Sequence, residues 1–248
     1  MKLAFISDIH EDIVSLRLAM NHLGKYKVDK LICLGDICGY NPLYYNYHDE
    51  RNAHECMQIV RKYCDVVIPG NHDLDASESL PKISPEFEFP PDFYELDYFQ
   101  KREIANSKLW DYDKSELKPM LTNEDISYLK TLSQFRILKT DIGNVLATHY
   151  IYPNLSGMQT SFCKTPTDYI PHFDFMQTNQ SNIAVAGHAH ASRLLCVTKM
   201  KIQKVKFGKA CNVDEQTILI CPSITRGSKK QGFLIIDTIE KTSRVIRI

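Results

Sequence analysis

Short apolar runs alternate with helical patterns in the first part of the chain. A β-type run over 2–7 is followed by apolar residues at helical spacing between 13 and 23 and by Gly24, a typical helix stop. A second apolar run over 30–34, a helical pattern over 50–63 and a third run over 65–68 repeat the alternation. Three strands alternating with two helices predict a right-handed, mostly parallel sheet, with loop residues gathered at the strands' carboxyl ends.

The pattern changes between residues 74 and about 134. This segment carries 13 acidic against 7 basic side chains, many aromatics, and prolines at 81, 85, 90 and 91. Helical patterns cover 93–109 and 123–132, the second with Asn123 as a fair cap. We therefore expect an insertion of mostly helical character at about 74–134.

After the insertion β-type runs dominate, with one helix or loop expected around 169–178. The runs cover 136–139, 144–148, 182–186, 194–199, 201–207, 217–221, 232–237 and 244–248. The C-terminal half is therefore predicted to be β-rich, and no internal repeat is present.

Composition and charge exclude several classes of protein. The chain of 248 residues is 44% hydrophobic and 24% charged, which is typical of a globular protein. Its 30 basic and 30 acidic groups leave no global positive field for long nucleic acid or anionic lipid. No apolar run approaches the roughly 18–20 residues that span a bilayer, so no membrane partner is expected. The eight cysteines lack a Cys-x-x-Cys pair and favour buried free thiols in a reducing cytoplasm over a zinc knuckle or disulfides.

Polar residues suited to binding metals follow five of the apolar runs. The five elements are Asp8-Ile-His10, Gly35-Asp36, Gly70-Asn71-His72-Asp73, Thr148-His149 and Gly187-His188-Ala189-His190. Carboxylate and amide oxygens and imidazole nitrogens suit Mn²⁺, Fe, Zn²⁺, Ni²⁺ or Co²⁺, and the lack of thiols argues against a structural zinc site. In extended chain residues i and i+2 point the same way, so each Asp-x-His or His-x-His pair can face one metal cluster.

Each element alone has an ordinary structural interpretation. Asp-x-His is common in loop caps and surface pairs, and Gly-Asp is more often a turn. It is the occurrence of all five, in order and after strands, that favours a metal site. The other histidines are expected at the surface or in packing, and they are His22, His48, His54 and His172.

Together the five elements resemble the calcineurin-like metallophosphoesterase superfamily. The Asp-Arg-Gly that extends Gly35-Asp36 in protein phosphatases is absent, so the chain is most similar to the compact prokaryotic phosphodiesterase and phosphatase branch. Its length and insertion resemble the longer, diadenosine tetraphosphatase-like members of that branch. The resemblance implies an α/β fold in which a two-sheet β-sandwich is flanked by helices. Residues 1–248 would form a single domain, with the mostly helical cap inserted at about 74–134.

The resemblance also implies the roles of the site residues. One metal would take Asp8, His10, Asp36 and His190, and the other Asp36, Asn71, His149 and His188. The expected cofactors are two divalent ions, Mn²⁺ first, with Fe, Zn, Ni or Co as alternatives. His72 would donate a proton to the leaving oxygen, and Asp73 would hold its ring. The family pattern departs at Glu11-Asp12, where Gly-Asn is usual, and at Tyr150, where Gly is usual.

The implied function is hydrolysis of a small phosphodiester or nucleotide by metal-activated hydroxide. A phosphoprotein phosphatase is the second option, a nuclease would need an open basic groove, and a non-catalytic scaffold of this fold would have lost ligands. Residues 193–248 carry 12 basic and 4 acidic side chains. There Arg226, Lys229 and Lys230 would either contact the substrate or be solvated hairpin charges. The tyrosines at 40, 44, 45 and 47 would either stack a base or pack, and the oligomeric state is open.

Overall fold

The computed structural model describes residues 1–112, 115–213, 216–227 and 229–248. Within these residues two six-stranded sheets lie face to face. The first sheet has the order β3-β2-β1-β11-β12-β9 and the second β4-β5-β6-β10-β7-β8. The strands are β1 Lys2–Ile6, β2 Lys30–Cys33, β3 Val66–Val67, β4 Phe135–Thr140, β5 Gly143–Thr148, β6 Ser181–Ala186, β7 Leu194–Val197, β8 Ile202–Val205, β9 Ala210–Asn212, β10 Thr217–Ile220, β11 Gly232–Asp237 and β12 Thr242–Arg247.

Six α-helices and three short 3₁₀ helices accompany the sheets in the described residues. The α-helices are α1 Ile13–Leu23, α2 Ala53–Tyr63, α3 Asn71–Ala76, α4 Tyr98–Ala105, α5 Asn123–Thr131 and α6 Ile170–Thr178. The 3₁₀ helices are His48–Glu50, Phe93–Glu95 and Pro166–Tyr169. None of the helices in this part of the chain has the length and apolar composition needed to cross a bilayer.

Three hydrophobic clusters hold these layers together. The central cluster joins inward-facing side chains of both sheets, such as Phe5 of β1 and Val185 of β6. A second cluster packs α1, α2 and α5 on the outer face of the first sheet. A third packs α6, through Phe173 and Met176, on the outer face of the second sheet. The predicted two-sheet sandwich flanked by helices is therefore confirmed.

The sheets are mixed, so the prediction of a mostly parallel sheet is wrong in detail. Strands β1, β2 and β3 are parallel, but β11, β12 and β9 extend the sheet antiparallel. In the second sheet β5, β6 and β10 are parallel, and β4, β7 and β8 are antiparallel. The reason is that short connections such as residues 238–241 between β11 and β12 form hairpins, whereas helical crossovers form the parallel pairs β1–β2, β2–β3 and β5–β6.

The segment 74–134 contains two different kinds of helix. The predicted helix over 93–109 is a 3₁₀ turn followed by α4, which buries none of its residues. Helix α5, predicted over 123–132, begins after a capping Thr122 and places Leu129 in the core beneath the first sheet. The segment therefore contains an exposed helix, α4, and a helix that packs in the core, α5.

Replacing Leu129 by alanine tests whether α5 belongs to the core. Leu129 is 1% exposed, so Leu129→Ala should destabilise the protein by about 2–5 kcal/mol in urea unfolding. Ile104→Ala on α4 is the matched control, because Ile104 is 36% exposed, and it should change stability by less than about 1 kcal/mol. Equal effects of the two substitutions would show that α5 does not contribute to the core.

The eight cysteines are all free thiols. Five of them are buried as predicted, whereas Cys64, Cys163 and Cys211 are only half-buried. Those three lie at helix ends, loops or the short edge strand β9, where the apolar pattern that suggested burial is interrupted.

Candidate metal centre

Five parallel strands deliver the predicted ligands to one end of the sandwich. Asp8 and His10 follow β1, Asp36 follows β2, and Asn71 follows β3 as the first residue of α3. His149 follows β5 directly, and the pair His188 and His190 follows β6. The carboxyl ends of parallel strands meet at one edge, so all seven side chains converge there.

These side chains form two adjoining groups of candidate ligand atoms. In the first group His190 Nε2 lies 3.4 Å from Asp8 Oδ1 and 3.0 Å from His10 Nε2. In the second, His149 Nε2 lies 3.2 Å from Asn71 Oδ1, from His188 Nδ1 and from Asp36 Oδ2. Asp36 Oδ2 is also 3.8 Å from His10 Nε2. The Asp36 carboxylate therefore stands between the two groups.

Backbone carbonyl groups fix which ring nitrogen faces the centre. His10 Nδ1 lies 2.8 Å from the Gly39 carbonyl oxygen, and His149 Nδ1 lies 2.7 Å from that of Leu34. A carbonyl oxygen only accepts hydrogen bonds, so each Nδ1 carries a proton, and Nε2 is the nitrogen that presents a lone pair when the ring is neutral. His10 Nε2 lies 3.0 Å from His190 Nε2, and His149 Nε2 lies 3.2 Å from His188 Nδ1, so the nitrogens of each pair are close enough to share one cation.

The buried Asp8 carboxylate oxygen and the backbone conformation of the predicted ligands also favour a cation site. Asp8 Oδ1 is buried and has no hydrogen-bond partner among the described residues, which is costly unless an ion completes its environment. Five of the predicted ligands have left-handed backbone conformations, each costing on the order of 1 kcal/mol. They are Asp8, His10, Asp36, His188 and His190, with φ of 55°, 49°, 52°, 62° and 44°.

The prediction that extended chain aligns the Asp-x-His and His-x-His pairs is wrong. The pairs are not in extended chain, because both members of each pair have positive φ. Tight left-handed turns, rather than the alternation of a strand, bring their side chains together. Residue 70 must be a glycine because the Asp36 carboxylate lies against its backbone: a Cβ at Gly70 would lie 2.1 Å from Asp36 Oδ1.

Burial and the Asp36 carboxylate determine the charges of the histidines. Burial lowers the pKa of His10 to about 3 and that of His190 to about 4, which leaves both rings neutral, as metal ligation requires. Burial also lowers the pKa of His149, but Asp36, Asp8 and the Leu34 carbonyl group together outweigh it and raise the value to about 9. A cation bound at Asp36 would oppose that effect and favour loss of the His149 proton.

His72 lies beside the centre, but its carboxylate partner is not the predicted one. Asp73 accepts hydrogen bonds from the backbone N–H groups of Ile37 (2.9 Å), Cys38 (3.0 Å) and Gly70 (3.0 Å). The prediction that Asp73 holds the His72 ring is therefore wrong, because the first turn of α3 directs this carboxylate to the loop after β2. It fixes the backbone of that loop next to Asp36.

Glu116, from the insertion, is the carboxylate that hydrogen-bonds to the His72 ring. Its Oε2 atom lies 2.9 Å from His72 Nδ1, while His72 Nε2 lies 3.9 Å from Asp36 Oδ2. Burial lowers the pKa of His72, but Asp36 and Glu116 outweigh it and raise the value to about 10. A second residue of the insertion, Tyr112, accepts a hydrogen bond from Asn71 Nδ2 at 2.8 Å.

Sequence reasoning did not identify Glu116 or Tyr112. The acidic and aromatic composition of the insertion was the available signal, and it does not distinguish these two from its other acids and tyrosines. Their contacts depend on how an irregular segment returns to the centre, which follows from tertiary structure alone.

The two departures from the family pattern have structural roles near the centre. The Glu11 carboxylate accepts a hydrogen bond from Gly39 N–H and pairs with Arg51 at 3.6 Å. Asp12 caps α1 through Ser15 N–H and binds Arg226. The Tyr150 ring centroid lies 4.6 Å from that of His188.

Some of the other basic residues, tyrosines and histidines considered from the sequence line the pocket, and the rest have structural contacts or lie at the surface. Arg226 is held by Asp12 and Glu50, and Lys230 is exposed, whereas Lys229 lines the pocket above the centre. Tyr40 and Tyr47 are buried in packing, and Tyr44 and Tyr45 line the pocket. Of the other histidines, His172 is buried and accepts a hydrogen bond from Tyr152 N–H, His54 contacts Asp125, and His22 and His48 are not buried.

The sequence profile of the calcineurin-like phosphoesterase family matches residues 1–192. The chain belongs to this family. The uncharacterized protein MJ0912 of Methanocaldococcus jannaschii is 31% identical to this phosphoesterase over 130 residues. That match covers 52% of this chain and 41% of the relative, so the chain spans about two fifths of the relative's length.

Two crystal structures show the same fold. A metallophosphoesterase from Sphaerobacter thermophilus superimposes with a TM-score of 0.69 at 18% identity, covering 100% of this chain and 88% of the other. The hypothetical protein PH1004 from Pyrococcus horikoshii has a TM-score of 0.62 at 16% identity, covering 100% of this chain and 87% of the other. The likeness extends beyond the region matched by the family profile to the C-terminal strands.

Proposed function

We propose that this calcineurin-like phosphoesterase binds two divalent metal ions and hydrolyses a small phosphodiester or nucleotide. The observation that carries the proposal is the position of Asp36 between two groups of nitrogen and oxygen ligands. A carboxylate shared by two cations offsets their mutual repulsion, which is the arrangement of two-metal sites.

The donor set fits such ions. The first ion would be held by Asp8, His10, Asp36 and His190, and the second by Asp36, Asn71, His149 and His188. Imidazole, carboxylate and amide donors without thiolate suit Mn²⁺, which we propose as the native ion, or Fe, Zn²⁺, Ni²⁺ or Co²⁺. When bound, two such ions neutralise phosphate oxygens and lower the pKa of water, so that hydroxide is available near neutral pH.

His72 is positioned to serve as the proton donor. The His72 backbone N–H donates to Asp36 Oδ1 at 3.0 Å, which places the ring beside the centre without using it as a ligand. Glu116 accepts from Nδ1 and favours the charged ring, so Nε2 can give its proton to the leaving oxygen. Tyr112 holds the Asn71 amide nitrogen, and this orients Asn71 Oδ1 toward the metal.

The pocket above the centre supports a small substrate. It encloses about 490 Å³, and pockets for small molecules typically measure about 300–1,000 Å³. Its walls come partly from the insertion, through Trp110, Tyr112 and Glu116, so we propose that the segment 74–134 caps the centre of a single domain. Among the described residues that line the pocket, Lys229 is the one lysine or arginine, which disfavours a nuclease groove.

Reconstitution with defined metals tests this function. Metal-depleted protein is loaded with Mn²⁺, Ni²⁺, Zn²⁺ or Mg²⁺ and assayed on phosphomonoesters, phosphodiesters and a phosphopeptide. Hydrolysis of small esters with at least one metal, together with two ions bound per chain, is the expected result. Preference for the phosphopeptide would favour a phosphoprotein phosphatase. Inactivity toward every substrate would favour the scaffold alternative.

A further inference from the structure

One wall of the pocket presents two half-exposed aromatic rings. Trp110 is 37% exposed and Phe162 is 41% exposed, and their ring centroids lie 6.0 Å apart at 64°. Both side chains line the pocket that contains the proposed metal ligands. Solvent-exposed aromatic surface inside a pocket favours binding of a flat, largely apolar group.

The position of Trp110 is fixed with respect to the metal centre. Its indole Nε1 donates to the Gly157 carbonyl oxygen at 3.0 Å, and its backbone N–H donates to that of Met158 at 3.1 Å. Gly157 has φ +79°, and a Cβ there would lie 2.6 Å from His188 Nδ1 and 2.9 Å from Asn71 Oδ1. The loop that holds the indole therefore lies directly against two proposed ligands.

Phe162 is tied to the same centre. Its ring stacks on His188 with centroids 5.3 Å apart and planes 15° apart. Two other aromatic rings of the pocket pack on different histidines: Tyr45 packs on His10, and Tyr112 contacts His72 in an edge-to-face arrangement. Tyr44 also lines the pocket and is 74% exposed, but Trp110 and Phe162 combine exposed ring surface with contacts that tie them to the proposed ligands His188 and Asn71.

The charge of the pocket limits the number of phosphates. In the described part of the lining, Lys229 is the single lysine or arginine, whereas Asp111 and Glu116 are acidic. Lys229 is exposed and its Nζ lies 3.4 Å from the Ala189 carbonyl oxygen, close to His190. Beyond the metals, such a pocket has little positive charge for a chain of several phosphates.

We propose that Trp110 and Phe162 form the binding site for the heteroaromatic base of a nucleotide that carries one phosphate. The inference rests on the proposed function, since the phosphate is held by the metal centre while the base lies against the aromatic pair. Stacking on an aromatic side chain contributes about 1–3 kcal/mol per base.

A matched pair of ligands isolates the contribution of the base. Adenosine 5′-monophosphate and ribose 5-phosphate share the phosphate and sugar, and both are tested as inhibitors of nitrophenyl phosphoester hydrolysis. The adenosine compound should inhibit roughly 10- to 100-fold more tightly. Trp110→Ala and Phe162→Ala should each reduce this ratio severalfold. Phe99→Ala is the matched control, because Phe99 is 77% exposed on α4 and should leave the ratio unchanged.

Fluorescence gives a second readout that does not depend on turnover. Trp110 is the single tryptophan of the sequence, so its emission reports on this wall alone. Adenosine 5′-monophosphate should alter the emission of the metal-loaded protein, and ribose 5-phosphate should not. Equal inhibition by both compounds and an unchanged emission would overturn the inference, while nitrophenyl turnover would leave the proposed function intact. Absence of all turnover would contradict the proposed function, yet an emission change confined to the adenosine compound would still support the stacking site.

Discussion

Asp36→Asn should release both metal ions and lower kcat/KM by more than about 10⁴-fold. Each ion is worth several kcal/mol of transition-state stabilisation, and every 1.36 kcal/mol is about tenfold in rate. Among the residues that the structure describes, Asp36 is the one carboxylate that lies within 3.8 Å of ring nitrogens from both groups, His10 and His149. An amide keeps the shape but removes the charge that two cations share, so both sites weaken together. Metal content measured by mass spectrometry, alongside kinetics with a small phosphoester, tests this.

Two further variants make the Asp36 result specific. His190→Ala should mainly empty the first site, because His190 belongs only to the group of ligands that it forms with Asp8 and His10. Asp49→Asn is the matched control, since the Asp49 side chain is fully exposed, and it should retain both ions and full activity. Equal metal loss from Asp36→Asn and His190→Ala would show that the proposed division of ligands is wrong.

The sequence was sufficient to predict the parts of the centre that are local to strand ends. Asp8, Asp36, Asn71, His149 and the pair at 188 and 190 each follow an apolar run, and a parallel sheet brings such ends together. The left-handed backbone at these residues was not predictable, because Asp and His have no strict requirement for it. The turns are imposed by the surrounding structure, which holds five strained residues at one site.

The helices of the insertion were predictable from the sequence, but its contacts with the metal centre were not. Its helical patterns located α4 and α5 to within a few residues, apart from the early part of 93–109. The contacts that matter for chemistry come from the irregular stretch between them, where no periodicity constrains the path. Glu116 lies 44 residues from His72 along the chain, and only the tertiary fold brings the two within 2.9 Å.

His72→Ala should leave both metal ions bound but lower kcat by roughly 10²- to 10⁴-fold. The loss should be smallest for substrates with a nitrophenolate leaving group, which departs without a proton, and largest for alkyl or ribosyl esters. A general acid is required only when the leaving oxygen is basic, so the dependence on the leaving group distinguishes proton donation from a purely structural role. The main competing interpretation makes His72 a metal ligand, because His10, Asp36 and His72 also form a compact group of potential ligands. Loss of metal together with activity would support that interpretation.

Glu116→Gln extends the same test to the residue that positions the ring. The amide can still contact His72 Nδ1, but it no longer stabilises the positive charge, so kcat should fall by roughly 10- to 100-fold. The loss should again be greatest for poor leaving groups, with metal content unchanged. Glu103→Gln, an exposed glutamate on α4, is the matched control and should leave activity unaltered. If Glu116→Gln slowed all substrates equally, Glu116 would act by shaping the pocket rather than through the proton of His72. Because bound cations would screen the effect of Asp36 on His72, Glu116 is the carboxylate that should sustain the charged ring in the metal-loaded enzyme.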